Sequence, residues 1–151
     1  MATNIVGVGL LLFSDGRLLA VQELQSKPQY HKLAGMISFP LETFDGEKDR
    51  TTTDTIIRLL SEELGISNDE VDLWGIAPET FKLIPGRNDV ETHYGVGTFL
   101  GNPERKFHPS DNDIRVVGWK TPDQLLNEKS IRVEVRPILE DFSKRKKEDF
   151  Y

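Results

Sequence analysis

Residues 58–66, with the sequence RLLSEELGI, constrain this chain more than any other segment. They predict the end of an amphipathic helix, because glycine commonly stops a helix at its C-terminus. Two adjacent carboxylates, Glu62 and Glu63, then share the last helical turn. Mg²⁺ and Mn²⁺ prefer hard oxygen ligands of this kind, so the helix end suits a divalent cation.

The predicted helix runs from about residue 52 to residue 64, and Thr51 with Asp54 resembles a capping box at its start. Its buried stripe is predicted from the helical spacing of four apolar residues, Ile56, Ile57, Leu60 and Leu64. Leu59 precedes Glu62 by three residues and Glu63 by four, so we expect it on their face, partly exposed beside them. A leucine therefore stands where a third carboxylate would complete the site.

These residues resemble the signature of the Nudix hydrolases, which reads G(5x)E(7x)REUxEExGU with U an aliphatic residue. Residues 58–66 match eight of its last nine positions, and Leu59 is the exception. Upstream, Glu47 resembles the first glutamate of the box, although Leu41 replaces the first glycine. Ten residues rather than seven separate Glu47 from Arg58, which indicates a three-residue insertion in the loop before the helix.

Composition favours one small enzyme-like domain spanning residues 1–151. The chain is 37% hydrophobic and 29% charged, and it is long enough to bury a sizeable core. It has no cysteine, which excludes disulfides and thiolate metal sites and favours a reducing cytoplasm. A net charge of -6 argues against a general nucleic-acid surface, and the apolar run 5–13 reads as a strand rather than a signal peptide or membrane anchor.

The order of the predicted elements gives an α/β (α+β) fold. Strands are predicted at residues 5–13, 18–22, 36–39, 71–77, 79–84, 92–100 and 114–119. The first two flank a turn signal at residues 14–17, so the domain opens with a hairpin. A short helix follows Thr121, and a last helix is predicted from about 135 to 147. By resemblance, these elements form a Nudix-type mixed β-sheet sandwiched between α-helices.

The resemblance also implies roles for individual residues. Glu62, Glu63 and Glu47 would hold Mg²⁺ or Mn²⁺, and Arg58 would pair with Glu47 and orient the loop against the helix. The alternative for the two adjacent glutamates is a solvated acidic helix end. The alternative for Arg58 is an ordinary ion pair with Glu62, four residues later on the helix.

Leu59 puts catalysis in doubt, because the family has a glutamate there that serves as base or metal ligand. Some relatives take their base from a loop instead. The surrogates in this chain are Asp89, Glu91, Asp111 and Asp113. Asp113 is favoured as an auxiliary metal ligand, because it resembles the acid that many relatives place before a strand ending in tryptophan.

Two functions remain open, with an unrelated α/β domain as a third and remote alternative. The first is a divalent-metal-dependent Nudix hydrolase of a nucleoside diphosphate linked to another moiety. The second is a catalytically impaired module that binds a nucleotide or a protein without turnover. The expected partner is a nucleotide-like small molecule, not a nucleic acid or a membrane, and a homodimer is left open. Tyr30, Phe44 and Arg87 lie in loops that are candidates for rimming the pocket.

Overall fold

A seven-stranded mixed sheet forms the centre of the molecule in the computed structural model, which describes residues 4–110 and 112–151. The strands are β1 (Ile5–Ser14), β2 (Arg17–Glu23), β3 (Ile37–Ser38), β4 (Leu41–Thr43), β5 (Val71–Ile76), β6 (Val90–Phe99) and β7 (Ile114–Lys120). The main path runs β3-β2-β1-β6-β5, with β4 paired to β1 and β7 paired to β2. Among the strand pairs of the described residues, β1 and β6 are parallel and the others are antiparallel.

The predicted N-terminal hairpin is confirmed. Ser14 lies opposite Arg17 across the β1 and β2 pair, so only two residues form the turn. Both turn residues have positive φ, 51° at Asp15 and 76° at Gly16. A type I′ turn requires this conformation, and its twist matches that of the two strands.

Three helices cover the sheet: α1 (Thr52–Leu59), α2 (Pro122–Leu126) and α3 (Val135–Ser143). The Thr51 and Asp54 capping box is present, and Gly65 ends the helical segment with a φ of 69°. Between α1 and Gly65, residues Leu60–Leu64 form a π-helical turn. In the described ranges, no helix is long and apolar enough to cross a membrane.

Apolar side chains fill both faces of the sheet. The first cluster joins α1 and the π-helical turn to residues such as Leu10, Leu19 and Phe99. The second joins α2 and α3 to Phe39, Tyr94 and Phe150. The helices therefore enclose the sheet from both sides, and the predicted α+β sandwich is confirmed.

The buried face of α1 differs from the predicted stripe. Leu59 is 0% exposed and belongs to the core, whereas Ile57 is 38% exposed. Residues 56, 59, 60, 63 and 64 follow the three-and-four spacing of one continuous helix face, and position 57 lies outside it. The expected exposure of Leu59 was therefore wrong, and Glu63, which is only 6% exposed, continues the core-facing side.

Two local predictions also fail. Residues 79–84 form no strand, although Phe81 makes one isolated bridge to Thr92 of β6. Strand β4 was not among the predicted strands, and it forms because the backbone of Leu41–Thr43 pairs with β1. Helix α3 ends at Ser143, short of the predicted limit near residue 147.

Candidate functional site

Charged side chains converge on a cavity of about 150 Å³. Strands β1, β4 and β6, the π-helical turn and the neighbouring loops contribute to its wall. Five carboxylates line it: Glu23, Glu42, Glu63, Asp113 and Glu134. Two residues chosen from the sequence, Glu63 and Asp113, thus lie at one cavity although 49 positions separate them.

Glu62 and Glu47 do not line this cavity. The Glu62 carboxylate faces the Arg58 guanidinium, with 3.3 Å between Oε2 and Nη1. That contact is the ordinary pair four residues apart that the sequence left as an alternative. Glu47 is exposed, and its backbone N–H donates to the Asp45 carboxylate.

Arg58 binds Asp49 rather than the expected Glu47. Its Nε and Nη2 donate to the two carboxylate oxygens of Asp49 at 3.2 and 2.9 Å. Nη2 also donates to the carbonyl oxygen of Thr43 at 2.6 Å. The predicted pairing of Arg58 with Glu47 was therefore wrong. The inserted loop turns back on itself, since the Asp49 N–H donates to the Asp45 carbonyl, and this places position 49 over the helix.

The Asp49 carboxylate is buried and electrostatically fixed. The Arg58 hydrogen bonds lower the pKa of Asp49 to about 2, against the opposing effect of burial. The N–H of Asp45 and the hydroxyl of Thr55 also donate to this carboxylate, each at 3.0 Å. The same pair raises the pKa of Arg58. Arg58 and Asp49 thus hold the loop against α1.

The structure describes three of the four surrogate acids. Asp89 is bound by Arg87 through two contacts of 2.9 Å, and Glu91 accepts from Asn4 at 2.7 Å. Neither lines the cavity, and Asp111 lies outside the described residues. Asp113 does line it.

The carboxylates at the cavity have the right chemistry for a divalent cation, but they form no complete protein cage. In residues 4–110 and 112–151, no group of three or more His, Cys, Asp or Glu side chains is arranged to hold a metal ion. Magnesium does not need such a cage, because it usually takes one or two carboxylates and completes its shell with water and substrate phosphates. Glu63 and Asp113 fit that mode.

The loop between β2 and β3 forms another wall of the cavity, through Lys27, Tyr30 and Lys32. The Arg87 guanidinium lies 5.1 Å from the centre of the Tyr30 ring, and its Nη1 donates to the Gln29 carbonyl at 3.1 Å. Tyr30 is therefore a wall residue supported from behind by Arg87. Of the three loop residues that were candidates for rimming the pocket, Tyr30 lines this cavity.

Sequence reasoning missed a buried charge network in the same wall. Arg132 donates from Nη1 to Glu23 and from Nη2 to Glu134, both at 2.8 Å. The Lys32 ammonium lies 3.1 Å from the second oxygen of Glu23. Glu23 and Arg132 are 109 positions apart, so no local pattern announces their contact. The one feature of the sequence that could have indicated this network was Glu23, a glutamate at the end of an apolar strand.

The sequence matches a known protein family over most of its length. The NUDIX domain profile matches residues 3–142, which is most of the chain. The chain therefore belongs to the Nudix family. No curated protein matches the sequence.

Solved structures with the same fold come from several bacteria. A NUDIX hydrolase from Nitrosomonas europaea is 21% identical with a TM-score of 0.66, covering 95% of this chain and 90% of that one. The NUDIX domain of Shewanella oneidensis NrtR, in complex with ADP ribose, is 15% identical with a TM-score of 0.62 and coverages of 95% and 89%.

A third similar structure is a bifunctional NMN adenylyltransferase/ADP ribose pyrophosphatase from Francisella tularensis, complexed with AMP and a manganese ion. It is 17% identical with a TM-score of 0.67, covering 95% of this chain and 42% of that one. At such identities the likeness establishes the fold, and the activity has to be argued from this chain's own residues.

Proposed function

We propose that this chain is a weak, divalent-metal-dependent Nudix hydrolase of a nucleoside diphosphate linked to another moiety. The observation that carries the proposal is the shared cavity of Glu63 and Asp113, with the cationic and aromatic side chains of Lys27 and Tyr30 in its wall. Carboxylates and cations at one cavity match a ligand that carries both phosphates and a bridging metal.

Each cavity residue has a role in this proposal. Glu63 is the principal ligand for Mg²⁺ or Mn²⁺ and Asp113 the auxiliary one. The bound cation would neutralise charge on the phosphate oxygens and lower the pKa of the attacking water. Lys27 attracts the phosphates, and Tyr30 offers a flat apolar surface to the organic part of the ligand. Glu62 would join only after leaving Arg58, and Glu47 is too exposed to contribute at this cavity.

The expected weakness follows from Leu59. A buried leucine neither binds a cation nor accepts a proton, and removal of a general base typically lowers a rate by about 10²–10⁴. The surrounding carboxylates supply only a partial replacement.

The same observation favours a second candidate, a module that binds its nucleotide without turnover. Leu59 is fully buried and Glu62 pairs with Arg58, so two positions of the Nudix signature do not contribute to the cavity. Two similar proteins have been crystallised with ADP ribose and with AMP, which makes these nucleotides reasonable first probes.

The deciding experiment combines turnover with binding. Release of the nucleoside monophosphate from a panel of nucleoside diphosphate derivatives, including ADP-ribose, is measured by chromatography with Mg²⁺ and with Mn²⁺, and affinities are measured by calorimetry. We expect slow hydrolysis that needs the cation and is abolished in Glu63→Gln. Glu140→Gln, an exposed position on α3, removes the same charge far from the site and should behave as wild type.

The outcomes separate the candidates. Tight nucleotide binding with no hydrolysis under either cation would establish the binding module and overturn the enzyme. Hydrolysis that is equal in wild type and Glu63→Gln would remove Glu63 from the metal site. Neither binding nor hydrolysis across the panel would refute both functions.

A further inference from the structure

We propose that Glu42 is the general base of this site, the carboxylate that takes the proton from the attacking water. This inference rests on the proposed function, because it assigns one step of the hydrolysis to a residue of this chain. Leu59 cannot perform that step, since a buried leucine accepts no proton. Glu42 was not among the residues selected from the sequence, yet it lies on strand β4 and lines the cavity.

The register of β4 directs the Glu42 side chain towards helix α1. Glu42 lies opposite Val8 of β1, and residues directly opposite each other in an antiparallel pair point to the same face of the sheet. Val8 is fully buried in the core cluster that also contains Leu59. Glu42 therefore projects to the side of the sheet that α1 and the π-helical turn cover. Glu63 of that turn lines the same cavity.

Arg58 fixes the position of Glu42 relative to the helix. Its Nη2 donates to the Thr43 carbonyl at 2.6 Å, which ties the backbone of β4 to α1. Its Nη1 lies 3.5 Å from Oε1 of Glu42, and the Thr43 N–H donates to that same oxygen at 3.1 Å. Arg58 directly precedes Leu59 in the chain. The Glu42 carboxylate is thus held beside the helical turn that carries a leucine in place of a third carboxylate.

The other cavity carboxylates have different tasks. Glu23 and Glu134 accept hydrogen bonds from one arginine in the buried wall. The proposed function assigns Glu63 and Asp113 to the cation. The Glu42 side chain is 18% exposed, so water reaches it although most of its surface is covered. An ionised carboxylate has about four acceptor sites on its two oxygens, so the contacts at Oε1 leave room for a water molecule.

The proton transfer completes the hydrolysis. The water oxygen forms a bond to one phosphorus of the diphosphate as the bridging P–O bond breaks. The electron pair of the broken bond stays with the leaving phosphate, and the proton lost by the water passes to Glu42, which later releases it to solvent. A positioned general base typically contributes about 10²–10⁴-fold in rate.

Replacing Glu42 by alanine allows a carboxylate to be returned from solution. Turnover is measured with Mg²⁺ on the nucleoside diphosphate derivative that wild type hydrolyses fastest. We expect kcat to fall by about a hundredfold or more in Glu42→Ala, and sodium formate to recover about tenfold or more of that loss. Formate is a carboxylate small enough for the space that the side chain leaves, whereas sodium chloride at the same ionic strength should restore nothing. Glu140→Ala, an exposed position on α3, is the matched control.

Calorimetric titration with Mn²⁺ separates a general base from a metal ligand. Glu42→Gln keeps the size of the side chain and removes its ability to accept the proton. Its kcat should fall by about a hundredfold or more, while it loses far less Mn²⁺ affinity than Glu63→Gln does. This variant carries the test if Glu42→Ala does not fold.

Four results would overturn the assignment. A kcat within about twofold of wild type in the folded variants would show that Glu42 is not the base. A loss of Mn²⁺ affinity as large as that of Glu63→Gln would make Glu42 a metal ligand instead. A rate of Glu42→Ala that formate does not raise would leave Glu42 as a structural partner of Arg58. If wild type hydrolyses nothing on the panel, the proposed function fails and the base with it, whereas wild-type hydrolysis without a variant effect removes the base alone.

Discussion

Replacing Asp49 by asparagine tests the link between the inserted loop and helix α1. The side chain is 2% exposed and receives two hydrogen bonds from Arg58, so its charge is stabilised only in the folded protein. Its pKa falls from an ordinary value of 3.8 to about 2. At 1.36 kcal/mol per pKa unit, the difference corresponds to about 2 kcal/mol of folding free energy at neutral pH.

The pH dependence has a definite sign. The folded carboxyl has the lower pKa, so the unfolded chain binds its proton first as the pH falls. The stabilisation is therefore complete above about pH 4 and is lost as the pH falls towards 2. Asp49→Asn should be about 2 kcal/mol less stable than wild type at pH 7, and the difference should shrink between pH 4 and pH 2.

Urea unfolding followed by circular dichroism at several pH values measures this difference, and a loss of 2 kcal/mol corresponds to roughly 4–8 °C in Tm for a domain of this size. Asp89→Asn is the matched control. Asp89 makes two contacts of 2.9 Å to Arg87, but on the surface, where solvent screening leaves such pairs little effect on stability. A gap below 0.5 kcal/mol at pH 7, or one that persists undiminished at pH 2, would refute the reasoning.

Substitutions at three further positions probe the packing. Position 59 is fully buried, so Leu59→Ala should lower the free energy of unfolding by about 2–5 kcal/mol and Leu59→Glu should prevent folding. Thermal melting curves measure both effects, with Leu59→Met as the control. A stably folded Leu59→Glu variant would contradict this prediction. Tyr94→Phe removes a 2.6 Å hydrogen bond to Asp141 and should cost about 1–2 kcal/mol at pH 7. Burial raises the pKa of Tyr94, so wild type should lose stability above pH 10 more steeply than the phenylalanine variant. Gly75→Ala should lower Tm by several degrees, because φ is 137° and the new Cβ would lie 2.5 Å from the Tyr151 nitrogen; an unchanged Tm would disprove that clash.

Local chemistry made part of the structure predictable. The two-residue turn, the capping box at Thr51 and the stop at Gly65 all depend on residues within a few positions of one another. Their backbone preferences hold in many folds, so sequence alone identifies them. The family resemblance then supplied the mixed sheet sandwiched between helices, which no local signal contains.

The errors arose where tertiary structure decides between local alternatives. Leu59 shares a helix side with Glu63, but the spacing does not say whether that side faces solvent or the sheet. Arg58 pairs with Asp49 and not with Glu47, because hydrogen bonds between Asp45 and Asp49 set the path of the inserted loop. The spacing of residues in the sequence does not predict those hydrogen bonds. In both cases the competing arrangements look equally acceptable from sequence alone.

The site combines three tasks that belong to different side chains. Arg58 and Asp49 fix the loop on α1, Glu63 and Asp113 face the cavity, and Arg132 with Glu134 forms its inner wall. Because Leu59 points into the core, adding a carboxylate at that position would damage packing before it could assist the cavity. Under the proposed function, any gain in turnover would have to come from side chains already at the cavity. The expected weakness then has two causes at position 59: the carboxylate is missing, and the helix face on which it would stand is directed into the core.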